Sequence, residues 1–142
     1  MQRTVRLMLA AAAIAACGSD AAPIGPPTEQ SLPGTYRLTS VNGTLPYLIA
    51  GDVDRQIRIV SGSFQFRSDH TFTDILTTRL TFTNGDTPIE ETSSQSGAFT
   101  LLGGNLGVEL RYSLPDDVRD TIAVTGVFMH RNDGGLLLTY KK

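Results

Sequence analysis

From residue 35 onward the apolar residues recur with a period of two, and no stretch sustains the 3.6-residue repeat of a helix. That alternation limits the chain to antiparallel sheet. The cleanest case is 106–112, where Leu106, Val108, Leu110 and Tyr112 alternate with Gly107, Glu109 and Arg111. Successive side chains on a strand point to opposite faces, so this segment has one apolar face and one wet face. Similar runs occupy 35–41, 56–67, 71–83, 89–102, 118–131 and 136–142. Turn residues separate them: Asn42-Gly43, Ser68-Asp69-His70, Asn84-Gly85-Asp86, Gly103-Gly104-Asn105, Pro115-Asp116-Asp117 and Asn132-Asp133-Gly134-Gly135. Seven strands are clear. An eighth has room near 46–50, in a less regular piece containing Pro46 and Gly51 that could also form a short helix or lid. Sequential strands with one apolar face each must bury it, and a meander of seven or eight favours a single up-and-down β-barrel over two paired sheets.

Side-chain parity predicts a defect in the second run. Ile57 and Ile59 have odd parity, whereas Phe64 and Phe66 have even parity, and a regular strand cannot turn all four inward. A bulge or bend at Ser61-Gly62 restores inward pointing and curves the sheet. The third run places Phe72, Leu76, Leu80 and Phe82 on one face, and the 118–131 run does the same with Ile122, Val124 and Phe128. The last run turns Leu136, Leu138 and Tyr140 inward. Asp74 shares the inward parity of Phe72 and Leu76, and a buried carboxylate is costly unless paired. It is expected near the barrel rim or beside a bulge, or as a polar group in an otherwise apolar pocket with Ser40 or Thr78. The side chains expected to line any pocket are Tyr36, Leu38, Phe64, Phe66, Phe72, Asp74, Leu76, Tyr112 and Phe128. Phe64, Phe66, Phe72, Phe82, Tyr112 and Phe128 are bulky enough to fill much of the interior.

The other end of the chain reads differently. A basic start with Arg3 and Arg6 precedes an apolar stretch over 7–16, the length of a signal-peptide core and too short to span a bilayer as a helix. Cys17, the only cysteine, follows directly in Ile14-Ala15-Ala16-Cys17-Gly18. These small residues before a cysteine resemble the lipobox of bacterial lipoproteins, which implies lipidation of Cys17 and attachment to a membrane through that lipid. Gly18-Ser19 after it, with no aspartate directly following, implies the outer membrane by similarity with lipoprotein sorting. Residues 17–33 are rich in proline, glycine and small polar residues and read as a flexible linker with a reach of roughly 20–25 Å. The expected organisation is a signal peptide over 1–16, the lipidated cysteine and linker over 17–33, and a barrel over 34–142.

The chain has 12 basic and 14 acidic residues. Loss of Arg3 and Arg6 with the leader leaves ten against fourteen, a charge of −4. No basic cluster exists, so nucleic acid is not an expected partner. An exported chain with one cysteine cannot form an internal disulfide.

At Gly34-Thr35-Tyr36 the start of the first strand resembles the Gly-x-Trp signature of lipocalins, with tyrosine in place of the tryptophan. The stretch continuing through Asn42-Gly43, then Gly62-Ser63-Phe64-Gln65-Phe66, Asp69-His70-Thr71-Phe72 and Leu137-Leu138-Thr139-Tyr140-Lys141, is similar to lipocalin-like domains of envelope lipoproteins. The resemblance implies an eight-stranded barrel open at one end, enclosing a small apolar or amphipathic ligand. A barrel filled by side chains, serving as an interaction or structural module of the envelope, is the alternative.

Catalytic patterns are lacking. His70 is expected in a turn and His130 at a strand end, and neither has metal-ligand spacing. Glu90-Glu91 and Asp116-Asp117 are adjacent pairs whose members point apart on a strand. The 93–96 serines form no nucleophile elbow, the glycines at 103, 104 and 107 form no dinucleotide fingerprint, and Asn42-Gly43-Thr44 reads as a turn rather than a glycosylation site. No enzyme activity, cofactor or metal is expected, and no pattern identifies a protein partner.

Overall fold

The computed structural model describes residues 25–104, 107–113 and 118–142. Cys17, the 1–16 segment and the Pro115-Asp116-Asp117 turn lie outside the described residues. The described residues form nine strands and no helix: β1 Gly34–Val41, β2 Tyr47–Gly51, β3 Arg55–Phe66, β4 Thr71–Phe82, β5 Ile89–Leu101, β6 Val108–Tyr112, β7 Arg119–Thr125, β8 Phe128–Asp133 and β9 Leu136–Lys141.

Every neighbour pair is antiparallel. The sheet runs β1-β9-β8-β7-β6-β5-β4-β3 and closes where β3 returns to β1, with Gly34 opposite Phe66 and Tyr36 opposite Phe64. The result is the expected up-and-down barrel of eight strands. β2 is an extra strand that pairs with the other half of β3, Tyr47 opposite Ile59 and Gly51 opposite Gln56. It fills the irregular stretch near Pro46, where neither a helix nor a lid is present.

Turn chemistry sets these joints. Asn42 and Gly43 both have positive φ, 49° and 87°, and so do Gly134 and Gly135, at 57° and 87°. This is the requirement of the two-residue turn whose twist matches flanking strands. In β3 the register against β4 shifts between Ile59 and Ser61, making Val60 the extra residue of a bulge. Ile57, Ile59, Phe64 and Phe66 thereby share one face, as their parity requires.

The 118–131 run is not one strand. It breaks at Gly126 (φ 59°), and Val124 pairs with Met129 while Thr125 pairs with Phe128. The two-residue turn reverses the parity, so Met129 and Arg131 point inward. Phe128, expected inside, is 43% exposed. His130 falls within β8 rather than at its end, half-buried, with Nδ1 3.3 Å from the Thr139 hydroxyl.

The core is one cluster running from Leu32 at the base to Val41 and Leu138 near the mouth. Aromatic rings pack against one another in its centre. Phe64 stacks on Phe72 with centroids 5.1 Å apart, and Tyr36, Phe66, Phe99 and Tyr112 meet neighbouring rings edge-on at 5.0–5.8 Å. Gly97 sits among them because no side chain fits there. A Cβ would lie 2.0 Å from the Arg111 carbonyl oxygen and 2.9 Å from the Phe72 ring.

The end of the expected linker is not free of the barrel. Leu32 is 1% exposed and closes the base. Burying one such side chain stabilises by roughly 1.5–3 kcal/mol. Ser31 and Leu32 amides donate to the Thr28 carbonyl, the Tyr36 hydroxyl donates to the Leu32 carbonyl at 3.2 Å, and Lys142 Nζ donates to the Ser31 carbonyl at 2.7 Å.

Candidate functional site

Of the side chains expected to line a pocket, Tyr36, Leu38, Phe64, Phe66, Phe72 and Tyr112 are buried and pack as core. They fill the base and middle of the barrel. Leu76 is half-buried at the mouth, Phe128 lies outside, and Phe82 sits at the far end of β4 beside Asp52, Arg55 and Asn84.

Asp74 is the exception within the core. Its side chain is 9% exposed, and its partner is Arg131, equally enclosed, whose Nη1 donates to Asp74 Oδ2 at 2.6 Å. Neither Ser40 nor Thr78 fills that role. Arg131 reaches two more carboxylates: Nε donates to Asp120 Oδ2 at 3.0 Å, and Nη2 lies 3.4 Å from Asp133 Oδ2. Its guanidinium also rests over the Tyr112 ring, 5.6 Å from the centroid. Strand geometry assembles this group. Asp74 projects from β4, Asp120 from β7 and Arg131 from β8, each on the inward side of its strand or at the rim.

Burial pushes the Asp74 carboxyl above its ordinary range, and the adjacent Arg131 pulls the other way without cancelling the shift. Burial also opposes the charge on Arg131, but Tyr112 and the three carboxylates outweigh it and hold the guanidinium more firmly protonated than usual. Burial raises the Tyr112 and Tyr140 phenols strongly. Among the described residues, three buried side-chain atoms have no hydrogen-bond partner, and all lie in this neighbourhood: Asp74 Oδ1, Tyr112 OH and Tyr140 OH.

A half-open cavity of about 90 Å³ lies at the mouth, lined by Asp74, Leu76, Ser93 and Gln95 from one wall and Arg131, Asp133, Leu138 and Tyr140 from the other. Above it the sheet continues beyond the closed barrel. Only 97–101 of β5 pair with β6, so β2, β3, β4 and the 89–95 half of β5 form a projecting four-stranded extension. Register places Tyr47, Ile57, Leu80 and Ile89 on the same face of that extension as Asp74 and Leu76. Ile57 and Ile89 are exposed there.

A larger groove of about 230 Å³ runs along the base between Glu29, Leu32, Arg67 and His70. His70, in its expected turn, stacks on Phe99 at 5.3 Å and lies 4.0 Å from Glu29. None of the residues lining that groove carries one of these unpartnered atoms, whereas Asp74 and Tyr140 both line the mouth cavity. Among the described residues no group of three or more histidine, cysteine or carboxylate side chains is placed to hold a metal ion.

Sequence parity turns Asp74 and Tyr140 inward, and Asp120 shares the parity of Ile122, but parity misses Arg131 and Asp133 and does not show that these side chains meet. The available signal is Gly126, a lone glycine between Thr125 and Val127 that reverses the parity of the residues after it.

Fold and site together define a closed antiparallel β-barrel with an aromatic core and a polar, acid-rich cavity at its mouth. Comparison with protein-family models, curated protein sequences and solved structures finds no match for this chain.

Proposed function

We propose that this is an exported lipoprotein, anchored in the bacterial outer membrane by a lipid on Cys17, whose barrel holds a small amphipathic molecule without catalysing its conversion. One observation carries the binding reading: a cavity lined by two residues with buried, unpartnered polar atoms opens at the barrel mouth onto a sheet face where Ile57, Leu80 and Ile89 stand with Thr78 and Glu91. Small-molecule sites combine a few convergent polar groups with apolar walls, and this mouth has both. The lipocalin-like residues Gly34-Thr35-Tyr36 support the same reading, and the apolar run before Cys17 supports the anchor.

Native mass spectrometry of protein released gently from its own membranes tests it. The expected species is a barrel acylated at Cys17 with a small noncovalent adduct, and Cys17→Ser should move to the soluble fraction. An empty barrel, or a Cys17→Ser variant still held in membranes, contradicts the respective part.

The packed aromatic core favours a second reading, a filled barrel serving envelope interactions. An empty barrel that co-purifies with one defined protein would establish it.

A further inference from the structure

We propose that the mouth cavity accepts the head of a primary alkylamine, with the ammonium against Asp74 and Tyr140 and the apolar body leaving along the inner face of the sheet extension. This rests on the small-molecule reading and specifies its ligand.

Charge gives the sign of the head. Among the described residues Arg131 is the one cation of the cluster, and it already faces Asp74, Asp120 and Asp133. With all four ionised the group holds two more negative charges than positive. A carboxylate or phosphate entering beside Asp74 would meet that excess at short range, whereas a cation would relieve it. Arg131 cannot serve as an anion receptor, because carboxylates occupy its donors on three sides.

Hydrogen bonding gives the same answer independently. The Asp74 side chain is more than nine-tenths enclosed and its Oδ1 accepts nothing; Tyr140 is fully buried and its hydroxyl has no partner. Both residues line the cavity. A buried oxygen left without a partner is costly, so a ligand that supplies donors gains from both. A primary ammonium has three N–H donors. Asp74, Tyr140, and Gln95 or Ser93, all residues of the cavity lining, each carry an oxygen acceptor to meet them.

The cavity suits a small head. Its volume of about 90 Å³ holds a few water-sized groups, enough for an ammonium and one or two methylenes. A trimethylammonium group is larger and brings no N–H donors. The rest of the ligand must lie outside, where Leu76 and Leu138 border the opening and Leu80, Ile57 and Ile89 supply apolar surface beyond Thr78 and Glu91 on the same face.

The test is titration of the folded, full-length protein with octylammonium, octyltrimethylammonium, octanoate and octanol, which share one apolar chain. Octylammonium should bind at least tenfold more tightly than the other three. Gln95→Lys should weaken it at least tenfold, because Gln95 is exposed, directly opposite Asp74, and a cation placed there competes for the same carboxylate. Asp74→Asn should abolish the preference among heads, and Gln95→Lys keeps the test valid should that variant not fold. Equal binding of all four chains, or octylammonium binding unchanged in Gln95→Lys, overturns the amine assignment and leaves the small-molecule reading standing. Failure of every probe to bind overturns both.

Discussion

Arg131 is the side chain whose loss would strand the most partners. It is the cation that keeps Asp74 tolerable inside the barrel, and it packs on Tyr112. Replacing it with methionine preserves apolar bulk but leaves Asp74 buried without a countercharge. Such half-broken pairs typically cost about 3–5 kcal/mol. Urea unfolding of Arg131→Met should show a loss of that order, and the double variant Asp74→Asn/Arg131→Met should lose clearly less than the two single losses together. Simple additivity would mean the pair is not coupled. The buried phenols give a second residue-scale prediction. Burial raises Tyr36 to about 12, and Tyr112 and Tyr140 shift the same way. The unfolded chain ionises near pH 10 while the folded one resists. Stability from Tyr36 is therefore complete below pH 10 and declines as pH rises towards 12, by roughly 2 kcal/mol. Urea midpoints measured from pH 9 to 12 should fall through that window, and a flat profile would refute the burial of these hydroxyls.

Among the elements, β5 has two halves with different tasks. Residues 97–101 close the barrel against β6, whereas 89–95 pair with β4 alone among the described residues. Gly97 stands at the junction, where β6 approaches too closely for any Cβ. Gly97→Ala should cost about 3 kcal/mol or more, since the obstruction is backbone as well as the Phe72 ring. Gly103→Ala, which meets nothing within 4 Å, should stay within about 0.5 kcal/mol. Comparable midpoints for the two would rule out the close approach. Strands are also where the sequence is most readable. Alternation locates seven runs, and the parity conflict between Ile59 and Phe64 places the β3 bulge within a residue or two of Val60. The failures are local as well. Gly126 turns the chain with only one glycine as signal, so unbroken parity puts Phe128 inside, whereas Met129 and Arg131 take that position. β2 is legible only as spare room, because its pairing depends on the far half of β3.

At the scale of the molecule, the barrel is closed at the base and polar at the mouth. Leu32 closes the base, tied by Tyr36 and Lys142, so the chain before β1 meets the barrel at the end opposite the cavity. A domain anchored through Cys17 would therefore carry its mouth on the side away from the tether's attachment. The mouth is only half legible from sequence. Inward parity marks Asp74 and Tyr140 separately, but the arginine is 57 residues from Asp74 and the phenol comes from β9, so only the closed barrel brings them together. A small molecule should bind at this mouth and not in the base groove beside His70. Amide and arginine side-chain chemical shifts recorded while octylammonium is added distinguish the two places. Perturbations should concentrate at Asp74, Gln95, Arg131 and Tyr140, with Leu32, Tyr36 and His70 unmoved. Perturbations confined to the base, or none at saturating probe, would show that the mouth is not the binding site.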